Sequence, residues 1–378
     1  MRLFISLFKY FPYGGLQKDT LRFAGEAARR GHEVTIFVTS WAGAMPDTDG
    51  IRVEIAPRLR AWTNTGRMDE FGKAACRRLA GGGFDVTLAM NRLPGHDFYF
   101  AADSCMKRYL PQHHCRLWRW LSRRCHAILR QEAAIFAPPS RTRVLYIADA
   151  QREEFAAEYA VEPERLIALP PGMDEACLPP ASAEARLAIR RRCRETLKIA
   201  DGQLLLITAG NSFVRKGMDR VIAALSALPP QWRRRCRVCL VGGFDECAAK
   251  KSIRRHGLPD DAVICLPARP DIGELLLAAD LMVHPAREEG TGTVLVEALA
   301  NGLPVVCTAL CGFSPYVASS GGIALPSPFS QPELNEAVER ALECLPRLRE
   351  HAAGYAATQD FCARSRAAID IMEASCRK

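Results

Sequence analysis

The sequence predicts an α/β protein with two domains, each built around a parallel β-sheet. Short apolar runs of strand composition alternate with helical stretches along both halves of the chain, which is typical of parallel sheets covered by helices. The chain has 378 residues, which is more than one hydrophobic core usually holds, and its 48% hydrophobic content is enough for two. We therefore expect two Rossmann-like domains that face a central cleft.

The first domain opens with a strand–helix–strand unit. Residues 2 to 8 have the composition of a buried strand, and a turn at Gly14 and Gly15 leads into a helix over residues 16 to 30. Residues 33 to 38 form the next strand. Such a unit places ligands at the carboxyl ends of its strands. Further strands of this half are expected at residues 52–57, 86–90, 98–101 and 142–148.

A proline-rich stretch separates the two halves. Residues 169 to 174 have turn chemistry, and the chain stays rich in proline as far as Pro180, so we interpret this stretch as the linker. We predict an N-terminal domain over residues 1–172 and a C-terminal domain over residues 173–358. Residues 359–378 are expected to form a helix that crosses back to the N-terminal domain. Strands of the second domain are expected at residues 204–209, 238–243, 263–266, 281–285 and 305–308.

The most informative stretch follows the predicted strand at 281–285. It runs from Glu289 through a glycine-rich turn, residues 290–293, into a helix that carries Glu297. Such a turn at a helix start leaves backbone N–H groups pointing outward at the positive end of the helix dipole, which attracts a phosphate. Glu297 lies about two helical turns beyond Glu289, so both carboxylates can face one side. Two acidic residues at this spacing also occur on solvated helix faces, so the motif alone leaves both interpretations open.

The spacing of the two glutamates resembles the signature of the retaining nucleotide-sugar glycosyltransferases of family 4. Further motifs are KYFPYGGLQKD (9–19), LPGHDFYFAAD (93–103), PER (163–165), LPPG (169–172), RKG (215–217) and ATQD (357–360). With these motifs, the chain is more closely similar to the lipopolysaccharide core glucosyltransferases that act on the inner-core heptose. This resemblance implies the glycosyltransferase B-fold (GT-B), retention of the anomeric configuration, and transfer of glucose from a UDP-sugar to lipid-linked, heptosylated lipopolysaccharide core. Thr291 and Thr293 stand where other members can carry apolar residues, so another UDP-hexose, such as an N-acetylhexosamine, stays open.

The resemblance also implies which residues form the site. Arg215 and Lys216 are expected to stabilise the departing diphosphate, so that neither a metal nor a cofactor is required besides the UDP-sugar donor. Glu289 is expected near the sugar hydroxyls and the anomeric carbon, Glu297 at the ribose diol, and Asp103 towards the donor sugar and the acceptor. The other donor-binding residues that it implies are Gly14, Gly15, Asp19, Gly290, Thr291, Gly292, Thr293 and Val294, with Arg269 and Ile272 near the uracil.

Several of these assignments have a structural alternative. Arg215 and Lys216 could form an ordinary basic surface turn, and Asp103 could be the N-cap of a helix. The expected mechanism is front-face attack, in which the leaving phosphate takes the acceptor proton. We do not assign Glu289 as a nucleophile, because nothing in the sequence establishes the separation of ~5 Å that the paired carboxylates of retaining hydrolases have.

Residues 107–130 form a basic segment without an acidic residue. Apolar and aromatic residues at partly helical spacing lie among its cations, so we expect a basic helix that contacts an anionic membrane surface. The alternative is that the apolar residues pack on the domain and the arginines are solvated. No run approaches the ~18 apolar residues that span a bilayer, and we expect a cytoplasmic enzyme at the cytoplasmic face of the inner membrane. The cations are Lys107, Arg108, Arg116, Arg119, Arg123, Arg124 and Arg130.

Other classes of function are less consistent with the sequence. The net charge of +9 suits nucleic acid, anionic lipid or an anionic substrate, but the arginine runs at 190–192 and 233–235 lack interleaved aromatic residues, so no nucleic-acid partner is expected. The first glycine turn lacks the three-glycine spacing of a nicotinamide enzyme. The fifteen cysteines are scattered and favour reduced thiols, and Cys236 and Cys239 have no second pair that would complete a zinc site. The sequence leaves the oligomeric state open.

Overall fold

The computed structural model describes residues 1–12, 14–46, 48–113 and 115–376. Tyr13 of the N-terminal motif, His114 of the basic segment and the last two residues of the chain lie outside the described residues. The chain divides into two compact units. Unit 1 comprises Met1–Gly172 together with Ala363–Lys378, and unit 2 comprises Met173–Cys362.

Unit 1 is built around a seven-stranded parallel sheet. Its strands are β1 (Arg2–Leu7), β2 (Glu33–Val38), β3 (Ile51–Ile55), β4 (Val86–Ala89), β5 (Phe98–Ala101), β6 (Arg143–Tyr146) and β7 (Leu166–Ala168), in the order β3-β2-β1-β4-β5-β6-β7. Its helices before residue 172 are α1 (Gly15–Arg29), α2 (Asn64–Ala80), α3 (Met106–His113), α4 (Arg116–Leu121), α5 (Arg123–Phe136) and α6 (Asp149–Tyr159).

The central strand β1 shows why this sheet is buried on both faces. Leu3, Ile5 and Leu7 pack into one core cluster, whereas Phe4 packs into another on the opposite face. Successive side chains of a strand point to opposite faces, so a continuous apolar run suits a strand with helices on both sides. The short strand β7 was not predicted, because three residues are too few to produce a recognisable pattern.

Unit 2 contains a six-stranded parallel sheet in the order β10-β9-β8-β11-β12-β13. Its strands are β8 (Leu204–Ala209), β9 (Cys236–Val241), β10 (Val263–Leu266), β11 (Leu281–His284), β12 (Val305–Thr308) and β13 (Ile323–Leu325). Its helices are α7 (Ala183–Thr196), α8 (Met218–Ala227), α9 (Pro230–Arg233), α10 (Glu246–Arg255), α11 (Ile272–Ala278), α12 (Thr293–Ala300), α13 (Ser314–Ser319), α14 (Gln331–Glu343) and α15 (Leu345–Thr358).

The last helix, α16 (Arg364–Cys376), belongs to unit 1. Ala368, Ile369 and Met372 are fully buried in the same core cluster as β1. On its polar side, Arg30 at the end of α1 pairs with Asp370 at 2.6 Å. The chain therefore returns to unit 1 at Ala363, a few residues after the expected boundary at 359.

Two arginines of the run at 190–192 form ion pairs within unit 2. Arg190 pairs with Asp280, a residue that is almost completely buried and also pairs with Arg194 and Arg349. Arg192 pairs with Glu274 at 2.7 Å. A buried carboxylate requires cationic partners, so Arg190 has a structural role, whereas Arg192 forms an ion pair at the surface.

Cys236 and Cys239 both lie in β9 and are completely buried. Burial raises the pKa of each thiol to about 12, which opposes the thiolate form that binds metals. All fifteen cysteines are free thiols. Among the described residues, no group of three or more histidine, cysteine, aspartate and glutamate side chains has an arrangement that could hold a metal ion.

The basic segment at 107–130 is not the continuous helix that we expected. It comprises most of α3, all of α4 and the first half of α5. The helical conformation is interrupted at Ser122, between α4 and α5. The hydroxyl of Ser122 accepts a hydrogen bond from Cys125 N and so caps the start of α5. None of the described helices combines the length and apolar composition that a membrane span needs.

Candidate functional site

The glycine-rich stretch of unit 2 lies at the carboxyl end of its sheet. The strand β11 ends at His284, and α12 begins at Thr293, so Glu289 lies in the turn between them and Glu297 lies in the helix. Gly292 is the N-cap of α12 and has a φ of 78°, in the left-handed region that favours glycine. The sequence therefore places an acidic side chain beside the amino end of a helix, as predicted.

A second loop of unit 2 brings Lys216 to this turn. Gly217 has a φ of 72°, and a Cβ atom there would lie 2.0 Å from the carbonyl oxygen of Pro285, so only glycine fits at this close approach. The carbonyl oxygen of Arg215 accepts a hydrogen bond of 2.8 Å from Arg287 N. These backbone contacts fix the loop that follows β8 against the residues that follow β11.

Lys216, His284 and Glu289 form a compact cluster. The ammonium of Lys216 donates a hydrogen bond to Glu289 Oε2, and His284 Nε2 lies 3.1 Å from the same oxygen. The side chains of Lys216 and Glu289 are 12% and 11% exposed, and that of His284 is completely buried. Tertiary structure thus brings together two residues that the resemblance assigned to the site, and it adds a third.

Glu289 is ionised in this environment. Burial opposes its ionisation, but the hydrogen bond from His284 and the charge of Lys216 outweigh it and lower the pKa of Glu289 to about 2. A carboxylate with such a low pKa is a hydrogen-bond acceptor at neutral pH and cannot serve as a general acid. The cluster therefore presents a fixed negative charge with a cation beside it.

His284 is the residue that the sequence analysis missed. It ends an apolar strand, where a lone histidine is read as part of the core, and it is indeed fully buried. Its Nδ1 atom is also buried and has no hydrogen-bond partner in the described part of the chain. The signal that could have found it is its place at the carboxyl end of a parallel strand, five residues before Glu289.

The remaining predicted residues of unit 2 lie in the surrounding turns. Arg215 is exposed, and Glu297 is half-buried on α12. Arg269 forms a two-point ion pair with Asp271, with both distances 2.5 Å, just before Ile272 starts α11. Gly290, Thr291, Thr293 and Val294 flank the N-cap of α12.

In unit 1, Asp103 follows β5, and its carboxylate pairs with Arg92 at 3.1 Å. Asp103 is not the N-cap of α3. The first backbone N–H groups of that helix, at Met106 and Lys107, instead donate to the buried carboxylate of Glu132 at 2.8 and 3.0 Å. The side chain of Asp103 is 67% exposed, so the carboxylate is free of the capping role that was the alternative.

The other predicted residues of unit 1 lie at the start of α1. Gly14 is the N-cap of this helix, and Gly15 is its first residue. Asp19 is mostly buried, and it pairs with Arg22 at 3.0 Å and with Arg364 of α16 at 3.1 Å. These contacts give Asp19 a structural role in joining α16 to α1, and its role in substrate binding stays a prediction.

A cavity of about 840 Å³ lies in unit 1 between α2 and α5. It is lined by residues such as Gly72, Leu93 and Ala134, and no residue of the predicted site contributes to it. Its place on the helix-covered face differs from the strand ends at which parallel sheets bind ligands. We therefore assign the site from the geometry of the strand ends.

The chain matches two models of protein families. The model of the glycosyl transferases group 1 matches residues 190–359, and the model of glycosyltransferase family 4 matches residues 13–176. The lipopolysaccharide glucosyltransferase WaaG of Escherichia coli (strain K12) is 37% identical over 377 residues, which cover 97% of each chain.

Solved structures have the same architecture. The crystal structure of WaaG, a glycosyltransferase involved in lipopolysaccharide biosynthesis, matches with a TM-score of 0.85 and 35% identity over 98% of this chain and 99% of that chain. The structure of Anabaena HepE in complex with UDP-glucose matches with a TM-score of 0.73 over 99% and 100% of the two chains, but at 17% identity it is similar in fold alone. These matches confirm the predicted fold class.

Proposed function

The chain belongs to the family 4 and group 1 glycosyltransferases, and we propose that it transfers glucose from UDP-glucose to the inner-core heptose of lipopolysaccharide with retention of configuration. One observation carries the proposal: Lys216 and His284 hold an ionised Glu289 beside the glycine-rich start of α12. The near full-length similarity to a lipopolysaccharide glucosyltransferase supports the choice of donor and acceptor.

The roles of the cluster follow from its hydrogen-bonding capacity. An ammonium has three donor positions, so Lys216 can bond to Glu289 and still donate to the departing diphosphate. Arg215, which is exposed, supplies a second cation for the same charge. Cations held in place before the reaction stabilise developing negative charge without reorganisation, which is usually the largest catalytic contribution.

Glu289 and Glu297 would bind different parts of the donor. An ionised carboxylate only accepts hydrogen bonds, so it suits a diol. We assign Glu289 to the hydroxyls of the sugar, and Glu297, farther along α12, to the ribose. The backbone N–H groups of residues 290–294 lie at the amino end of the helix, where a phosphate is favoured. Arg269 and Ile272 are assigned to the uracil.

Exposed apolar residues of α4 support contact with a membrane surface. The side chains of Leu117, Trp120 and Leu121 are 63%, 70% and 64% exposed, whereas Ile128 and Leu129 of α5 are half-buried. The exposed residues of α4 therefore support the membrane contact, and the half-buried residues of α5 are closer to the alternative. Arg123 and Arg124 follow α4 and are exposed. Exposed apolar groups beside cations are attracted to an anionic surface, and we propose that α4 and the start of α5 contact the cytoplasmic leaflet.

A donor screen tests the reaction. The purified protein is incubated with UDP-glucose, UDP-galactose or UDP-N-acetylglucosamine and with heptosylated core acceptor, and the products are weighed by mass spectrometry. We expect addition of one hexose from UDP-glucose, with the linkage determined by NMR. Transfer only from the N-acetylhexosamine donor would replace glucose with the alternative sugar, and transfer from none of the three would contradict the proposal.

Vesicle sedimentation tests the membrane contact. Arg116, Arg123 and Arg124 are exposed, and changing all three to Glu is expected to abolish binding to vesicles that contain phosphatidylglycerol. Arg119 is left unchanged because its Nε atom is buried. A matched control changes Arg191, Arg233 and Arg254 of unit 2 to Glu. Equal binding of wild-type protein to neutral and anionic vesicles would contradict the proposed contact.

A further inference from the structure

Trp62 is the most exposed of the large apolar side chains described. Its relative exposure is 102%, which means that the indole has no protein contact that shields it. It ends the loop at residues 57–62, which joins β3 to α2. A fully exposed tryptophan is costly in water, and such side chains are enriched in interfaces with proteins and at membrane surfaces.

The exposure of Trp62 does not result from a loosely held backbone. The N–H groups of Arg60 and Ala61 both donate to Glu70 Oε2, at 2.7 and 3.1 Å. Thr63 is the N-cap of α2, and its hydroxyl accepts a hydrogen bond of 3.1 Å from Gly66 N. These bonds fix the chain on both sides of Trp62, so the loop presents the indole to solvent in a defined place.

Two arginines share this loop with Trp62. Arg58 and Arg60 are both exposed, and neither forms an ion pair within the described parts of the chain. The nearby carboxylates are already occupied, because Glu70 accepts the backbone bonds of the loop and Asp69 pairs with Arg130. The loop is therefore a small basic surface with an aromatic residue at its end.

This loop and α4 lead into two helices that contact each other. The helices α2 and α5 pack on the same face of the sheet, since both contribute to one core cluster. Asp69 in the second turn of α2 bonds Arg130 and Gln131 at 2.8 and 2.6 Å. The loop at residues 57–62 precedes α2, and α4 precedes α5, so these contacts link the two segments through the helices that follow them.

We propose that the loop at residues 57–62 is a second membrane-contact element, which binds an anionic lipid surface together with α4. This inference rests on the membrane contact proposed above and extends it to a loop that is separate in sequence. Trp62 inserts its indole at the level of the lipid headgroups, where tryptophan is favoured. Arg58 and Arg60 bind the phosphates. Two contact elements joined by the ion pair of Asp69 and Arg130 orient unit 1 on the surface more strictly than one.

The test compares three proteins in sedimentation with phosphatidylcholine vesicles, with and without phosphatidylglycerol. Relative to wild type, Trp62→Ser is expected to lower the partition coefficient about tenfold on anionic vesicles, because one large apolar side chain no longer leaves water. The double change of Arg58 and Arg60 to Gln is expected to lower it about thirtyfold in low salt and less in high salt. Matched controls in unit 2 are Leu187→Ser, at an exposed apolar residue, and Arg191→Gln, at an exposed arginine; both are expected to bind as wild type.

Fluorescence locates the indole directly. Brominated phosphatidylglycerol is expected to quench wild-type tryptophan emission more than that of Trp62→Phe, because bromine quenches only indoles within the bilayer. Turnover on a de-acylated, water-soluble core acceptor is expected to be unchanged in all loop variants.

The outcomes separate this inference from the proposal on which it rests. If the wild-type protein does not bind anionic vesicles, the proposed membrane contact itself is wrong. If wild type binds but Trp62→Ser and the double arginine variant bind equally well, only the role of the loop is overturned. Loss of turnover on the water-soluble acceptor, with unchanged vesicle binding, would assign Trp62 to sugar recognition instead and would also overturn the inference.

Discussion

The two carboxylates that follow sheet strands in unit 1 and unit 2 have opposite surroundings. Glu289 of unit 2 is nearly buried and bonds to Lys216 and His284, whereas Asp103 of unit 1 is mostly exposed and pairs with Arg92. A charge fixed among partners provides a preorganised field, while an exposed one is open to a substrate. Two carboxylates assigned to one reaction therefore suit different tasks, Glu289 as a fixed charge and Asp103 as an accessible hydrogen-bond acceptor.

The largest loss of activity is expected when the charged side chain of Glu289 or Lys216 is removed. Changing Glu289 or Lys216 to Ala is expected to lower kcat/KM by about 10³-fold, because preorganised electrostatic groups contribute about this much. Steady-state kinetics with UDP-glucose measures it. Glu288→Ala removes a neighbouring exposed carboxylate of the same turn and is the matched control. Near-normal kcat in either variant, with the fold intact by circular dichroism, would remove that residue from the mechanism.

The buried environment of Glu289 predicts a pH-dependent stability. Its pKa is lowered from 4.5 to about 2, so the ionised carboxylate stabilises the fold above pH 4.5, and this contribution is lost as the pH falls towards about 2. The contribution of the ionised carboxylate to the free energy of unfolding is about 3 kcal/mol. Urea unfolding of wild type and Glu289→Gln is expected to show a difference in the free energy of unfolding that shrinks below pH 4.5. If the difference in the free energy of unfolding did not depend on pH, His284 and Lys216 would not lower the pKa of Glu289 in the folded protein.

Asp103 is expected to affect turnover and leave stability unchanged. Asp103→Asn should lower kcat/KM for the acceptor about 10- to 100-fold, the range for a hydrogen bond to a charged group. Arg92→Met should instead destabilise the fold by about 3 kcal/mol, since the buried Glu132 loses a cationic partner. Thermal unfolding and acceptor kinetics on both variants measure the two effects. A large loss of stability in Asp103→Asn would show that Asp103, like Glu289, stabilises the fold despite its exposure.

Glu297→Ala is expected to raise the KM for the donor about tenfold and leave kcat unchanged, as for binding that is shared by ground and transition states. Donor titration at saturating acceptor measures it. A fall in kcat alone would place Glu297 with Glu289 among the groups that act in the transition state.

The smallest effect is expected from a chelator. If Arg215 and Lys216 neutralise the diphosphate, activity should be unchanged in excess EDTA. The control is the same assay with added magnesium. Complete loss of activity with EDTA, restored by a divalent ion, would mean that Arg215 and Lys216 do not neutralise the diphosphate without a metal.

Much of the fold was predictable because its signals are local. Apolar runs mark the parallel strands, and most were expected within a few residues of their bounds. The exceptions are informative. The strands β7 and β13 have only three residues each, and the basic segment breaks at Ser122 because a side-chain cap starts a new helix there.

Part of the candidate site was predictable from the resemblance, and the strand pattern agrees with it. Glu289 and Lys216 each follow a predicted strand, and parallel strands end at a common edge. The partnership with His284 was not predictable, because the burial of a strand-end histidine gives no sign of what its ring contacts. Glu132 likewise replaces Asp103 in capping α3 from a distant helix, and such a contact has no local pattern.

Local sequence patterns are sufficient to predict the fold class, the positions of most strands and the carboxylates that follow them, because periodicity and turn chemistry act between residues close in the chain. Which charged side chains form pairs depends on the packing of distant segments. Lys216 reaches Glu289 because Gly217 lets two loops touch, and Asp19 is joined to Arg364 because α16 returns to unit 1. Ion pairs form between residues that are near in space, and folding alone determines that distance.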